Sequence, residues 1–158
     1  MESLLSDLKQ SVKAAAERSE VHAAVADLYT AVQREIDARK PLCVISGKCC
    51  RFEEYGHRLY VTTLELAAFI GAVPSIPEGW DGTGCPFQKN KLCSVHQARP
   101  FGCRMFFCDP TSTEWQNQRY ERFHADLKRL HQSLGVPYFY VERRAALREC
   151  LSTNQDNL

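Results

Sequence analysis

Residues 85–108 read CPFQKNKLCSVHQARPFGCRMFFC. Four cysteines stand in that stretch, at Cys85, Cys93, Cys103 and Cys108. Cys43, Cys49 and Cys50 precede it and Cys150 follows it, so seven of the chain's eight cysteines fall between Cys43 and Cys108. The chain has 158 residues, 44% of them hydrophobic. A chain of that size buries roughly two thirds of its unfolded surface on folding. It has no need of covalent staples, so the local excess of thiols calls for a chemical reason.

An even cysteine count invites a disulfide reading. The N-terminal residues argue against it. Met1–Gln10 reads MESLLSDLKQ, with acids at Glu2 and Asp7 and no apolar run of signal-peptide length. No stretch approaches the roughly 20 apolar residues of a membrane span. These features predict a cytoplasmic protein, where clustered cysteines bind metal or do redox work. Lys and Arg number 20 and Asp and Glu 19, a net charge of +1. That balance removes the electrostatic argument for nucleic acid or an anionic membrane as partner.

The spacings are Cys43-x5-Cys49-Cys50, Cys85-x7-Cys93 and Cys103-x4-Cys108. Closed zinc sites take four thiolate or imidazole ligands, and iron–sulfur clusters likewise use about four thiolates. Paired short knuckles of a zinc ribbon are missing, as is the ferredoxin cysteine run. Spacing therefore predicts a polythiolate metal centre and leaves the metal open. Gly47, Gly84 and Gly102 lie close to cysteines and allow tight turns there. Lys48, Arg51 and Arg104 adjoin cysteines, and cationic neighbours offset thiolate charge. Arg104 is read as a donor to cluster sulfurs or to a carboxylate. Arg99-Pro100 is read as a turn that sets the approach of Cys103.

SGKCCR (Ser46–Arg51), CPF with Cys93, and the RPFGCRMFFC segment (Arg99–Cys108) together resemble the YkgJ-like cysteine-cluster family, a zinc- or iron-chelating domain. YVTTLELAAF (Tyr60–Phe69) is similar to the strand-to-helix segment between that family's cysteine groups. The resemblance covers residues 41–110. One position departs from it: Ser46 stands where the fullest entry motif has a cysteine, and a hydroxyl is a poor ligand for soft metals. The resemblance implies a metal-ligand pool of Cys49, Cys50, Cys85, Cys93, Cys103 and Cys108. Either the Ser46 position is not an essential ligand or Cys43 stands in for its missing thiol, and His96, three residues after Cys93, is a weaker nitrogen candidate. Cys150 is read as a buried thiol outside the pool. Family members are described as iron–sulfur oxidoreductases, and only the resemblance implies such an activity here.

Outside the cysteines the pattern is helical. Leu4, Leu8, Val12, Ala15, Val21, Val25, Leu28, Val32 and Ile36 predict one long helix over 3–39, bent near Ser19, that Pro41 stops. HRLYVT (57–62) reads as a short strand, and Thr62 and Glu65 have capping-box spacing for a helix that Gly71 and Pro74 end. Residues 75–84 read as a loop. Thr111 and Glu114 predict a second capping box, opening a helix with Tyr120, Phe123, Leu127, Leu130 and Leu134 on one face. Gly135 sits where its C-cap belongs, and 141–150 reads as a last short helix. His124 and His131, seven residues apart, are too far apart along that helix for one ion and are read as packing residues.

The expected fold is mainly α: long N- and C-terminal helices flank a small irregular cysteine-rich metal-binding centre with minimal β. It forms one domain over 1–158, divided as 1–40, 41–110 and 111–158. The expected function is metal binding, with an iron–sulfur cluster serving electron transfer or redox sensing and a protein or redox partner. The alternative is a zinc-stabilised scaffold that mediates protein–protein interaction without catalysis.

Overall fold

A computed structural model describes residues 2–41, 59–73, 75–82, 84–89, 92–105 and 109–153. The protein is mainly helical. Helix α1 spans Glu2–Ala16 and α2 spans Ser19–Arg39. Strand β1 (Tyr60–Thr62) leads into α3 (Thr63–Ala72), followed by β2 (Ser75–Ile76) and a hairpin of β3 (Gln88–Lys89) and β4 (Leu92–Cys93). A 3₁₀ turn at His96–Ala98 precedes the short α4 (Phe101–Arg104). Then come α5 (Thr113–Leu134), β5 (Tyr140–Glu142), α6 (Arg143–Cys150) and β6 (Ser152–Thr153). Among the described residues, no helix is long and apolar enough to cross a membrane.

The expectation of one N-terminal helix is corrected to two. Arg18 is extended between them, its guanidinium donates to the Leu134 carbonyl, and His22 Nε2 lies 2.7 Å from the Ala16 carbonyl. The stripe already carried the break: Ala15 to Val21 is a step of six, which no continuous helix keeps on one face. Separated in this way, the two helices pack on different partners, α1 on α3 and α6, and α2 on α3 and α5.

Helix α3 is the centre of the molecule. Thr63, Leu64, Glu65, Leu66, Ala67 and Phe69 are all buried, as expected of a helix that is apolar all round. Leu64 and Ala67 join the cluster of α2, α4 and α5 around Val25, Phe101 and Phe123. Leu66 packs with Leu8 and Val12 of α1 and with Ala146 of α6. Phe69 meets Phe87, Cys85 and Leu147. The Thr62–Glu65 capping box forms as expected, with Glu65 N donating to Thr62 Oγ1 and Thr62 N donating to the Glu65 carboxylate.

Helix α5 ends as expected, with Gly135 in the left-handed region at φ 67°. Its start is corrected. The Thr111–Glu114 capping box does not form, because the Asp109 carboxylate takes the Thr111 N–H and both the Thr111 and Ser112 hydroxyls. Those bonds wind a 3₁₀ turn, Pro110–Ser112, ahead of the helix. Two strand pairings come from distant sequence. β1 pairs antiparallel with β5, Val61 opposite Val141. β2 pairs parallel with β6, so part of the expected 75–84 loop is strand.

Candidate metal centre

Glu65 does more than cap α3. It is fully buried, and while Oε2 accepts from Thr62 N at 2.7 Å, Oε1 accepts from Phe101 N at 2.8 Å. The second bond fixes the first turn of α4, whose third residue is Cys103. A carboxylate there satisfies an N–H that a helix start leaves open. Pro100, extended before α4, opens the helix, and its carbonyl accepts from Cys103 N. Gly102 faces Leu59, where a side chain would meet Leu59 Cδ2 at 3.3 Å. Glycine is thus what lets α4 lie close to the β1 edge. Burial pushes the Glu65 carboxyl up, against the bonds from Thr62 and Phe101 and the nearby charge of Arg143, which lower it.

Arg143 was not among the residues the sequence singled out. The β1–β5 ladder carries it into place, continued by Arg143 N donating to the Leu59 carbonyl at 2.8 Å. Its side chain is only 2% exposed, and Nη1 donates to Cys103 Sγ at 3.3 Å. A buried charge needs a partner, and a guanidinium beside sulfur supplies the positive charge that a thiolate ligand needs. Arg104, expected to serve sulfur or a carboxylate, bonds to neither among the described residues. It donates to the carbonyls of Arg99 and Gln97 and lies over the Tyr29 ring.

Cys85 and Cys93 come from one hairpin. The Cys85 carbonyl accepts from Gln88 N, and Gln88 then pairs with Cys93. The chain therefore turns back so that Cys93 stands three residues from the register of Cys85. Cys85 is buried against Phe69, Phe87 and Leu147, and Cys103 is buried too, whereas Cys93 is half-buried. None of the three forms a disulfide among the described residues. Four of the predicted positions, Cys43, Cys49, Cys50 and Cys108, lie outside the described residues, as do Ser46 and His57. Among the described residues, no three His, Cys, Asp or Glu side chains form a group that could hold an ion. The described half of the ligand pool thus contributes three cysteines, two of them buried and Cys103 in contact with a guanidinium. That donor set suits a soft metal.

The remaining candidates separate clearly. His96 is exposed, and burial followed by the charges of Arg99 and Arg104 holds it below its usual value. Cys150 is half-buried beside Phe139 and Val141, and burial pushes its thiol up to about 11. His131 packs as expected: it is buried, with Nδ1 2.8 Å from the Leu127 carbonyl and Nε2 accepting from Leu64 N. His124 bonds the Tyr138 hydroxyl on the surface.

The chain matches no family model, no curated protein and no solved structure. Its resemblance to the YkgJ-like family accordingly rests on the motifs themselves.

Proposed function

We propose that the chain is a cytoplasmic metal-binding protein of the YkgJ-like cysteine-cluster type. Its thiolates hold an iron–sulfur cluster used for electron transfer or redox sensing. The ligands come from Cys49, Cys50, Cys85, Cys93, Cys103 and Cys108, with Cys43 and His96 in reserve. The observation that carries this reading is the buried Arg143–Cys103 contact, in which a full positive charge is held against a sulfur inside an apolar core. Apolar walls around such a centre limit solvent access and tune its potential, and Phe101 and Met105 supply them beside Cys103.

A zinc-stabilised scaffold is the second reading. The brevity of the elements that carry the cysteines favours it: β3 and β4 have two residues each and α4 has four. Such short pieces gain most from a metal that ties them together.

Anaerobic purification with metal analysis and visible spectra tests the proposal. A brown protein containing iron and sulfide supports the cluster. Colourless protein with about one zinc per chain supports the scaffold instead. Metal-free, folded protein overturns both. Cys85→Ser and Cys108→Ser should each lose metal, while Cys150→Ser should keep it, and equal metal content in the three would refute the ligand assignment.

A further inference from the structure

A groove of about 510 Å³ runs between α2 and the segment that leads into α4. Helix α2 contributes Tyr29, Thr30 and Gln33, and the facing segment contributes Gln97, Arg99 and Arg104. Two guanidiniums therefore share one concavity, and among the described residues no carboxylate lines it. Both are held in place by backbone carbonyls. Arg99 donates from Nε to His96 O at 3.0 Å and from Nη1 to Cys103 O at 3.4 Å. Arg104 donates from Nε to Arg99 O and from Nη2 to Gln97 O, each at 2.7 Å. Ligand-binding guanidiniums fixed beforehand lose little freedom when an anion arrives.

The Tyr29 hydroxyl is the second observation. Its oxygen is buried, and its proton has no acceptor among the described residues. Arg104 stacks on the ring, 4.0 Å from its centroid. It is near enough to bias the phenol electrostatically without accepting its proton, since a guanidinium has no acceptor. A buried donor without an acceptor is costly, as are two cations brought together in a partly desolvated groove. One small anion would relieve both, accepting from Tyr29 Oη and from the guanidiniums through charge-assisted bonds.

We infer that this groove is a binding site for a small oxyanion, phosphoryl or carboxylate, held by Arg99, Arg104 and Tyr29. The inference is independent of which metal the cysteines hold. The site lies one residue from Cys103 through Arg104, so occupancy would be felt next to the thiol.

Calorimetric titration of the full chain, as purified, with inorganic phosphate and separately with succinate tests it. One saturable site per chain is expected for at least one of the two probes, and the preferred probe identifies the anion class. Arg99→Gln should weaken that binding about tenfold or more, as loss of a bond to a charged group does. Tyr29→Phe should weaken it about fivefold with little loss of thermal stability, because the lost O–H had no acceptor. Gln33→Glu, which brings a carboxylate to the groove and leaves both arginines in place, should also weaken it. Arg129→Gln, remote and paired with Asp126, should bind as the parent does. No saturation by either probe, or unchanged binding in Arg99→Gln and Tyr29→Phe, overturns the inference. Metal content measured on the same samples separates that outcome from failure of the metal-binding proposal.

Discussion

Replacing Glu65 should loosen the fold and the cysteine site in one step. Its carboxylate accepts from two buried backbone N–H groups, Thr62 N at 2.7 Å and Phe101 N at 2.8 Å. Glu65→Ala leaves both donors without an acceptor. Each costs about 1–3 kcal/mol, so the two together cost about 2–6 kcal/mol. Relief from burying a carboxylate offsets part of that. Glu65→Gln keeps the shape and one acceptor oxygen but turns an NH₂ toward the other N–H. It should therefore cost about 1–3 kcal/mol. In urea, where domains of this size lose about 1–3 kcal/mol per molar, the Gln variant should unfold roughly 0.5–1.5 M earlier by far-UV circular dichroism. The Ala variant should unfold earlier still. Because the Phe101 bond fixes α4, the Cys103 thiol should also react faster with a thiol reagent in both variants. An unfolding midpoint for Glu65→Gln equal to the parent's, with unchanged Cys103 reactivity, would refute the argument.

Two further outcomes follow from the buried groups around α3 and α4. His131 is neutral in the fold, its Nε2 accepting from Leu64 N, and burial holds it below its ordinary value. Its share of stability is therefore complete above about pH 6.5 and is lost as the pH falls through the lowered native value, by up to about 1.4 kcal/mol per pH unit. His131→Gln should flatten the fall in melting temperature between about pH 7 and pH 5, and an identical slope in the two proteins would contradict this. Arg143→Met removes the charge beside Cys103, so metal retention in a chelator competition should drop about 10–100-fold, the usual effect of losing a partner that supports a ligand. Arg144→Met, whose guanidinium bonds Glu142 instead, serves as the control, and equal retention in both variants would remove Arg143 from the site.

Local chemistry was legible in the sequence wherever one short segment decided it. The Thr62–Glu65 box, the stripe of α5 and the Gly135 cap each depend on residues a few positions apart, and each forms as read. The break at Arg18 was written in the six-residue step from Ala15 to Val21, which the bent-helix reading passed over. The Thr111–Glu114 box failed because Asp109, two residues earlier, already takes the Thr111 N–H and hydroxyl. Contacts between distant segments were not legible. Nothing near Arg143 marks it as the partner of Cys103, since the β1–β5 pairing and the packing of α4 on β1 together bring these residues, 40 positions apart, into contact. The second bond of Glu65, to Phe101 across 36 positions, is hidden in the same way. Adjacency in sequence put Arg104 next to a cysteine, yet among the described residues its guanidinium meets carbonyls and the Tyr29 ring instead.

X-ray absorption at the edge of the metal retained by anaerobically purified protein reads the proposed ligands themselves. A first shell of about four sulfurs at roughly 2.3 Å is expected, accompanied by metal–metal scattering if the centre is an iron–sulfur cluster. The shell should be lost in Cys103→Ser and kept in Cys150→Ser. A first shell made of oxygen and nitrogen alone, or a sulfur shell untouched by Cys103→Ser, would contradict the ligand assignment.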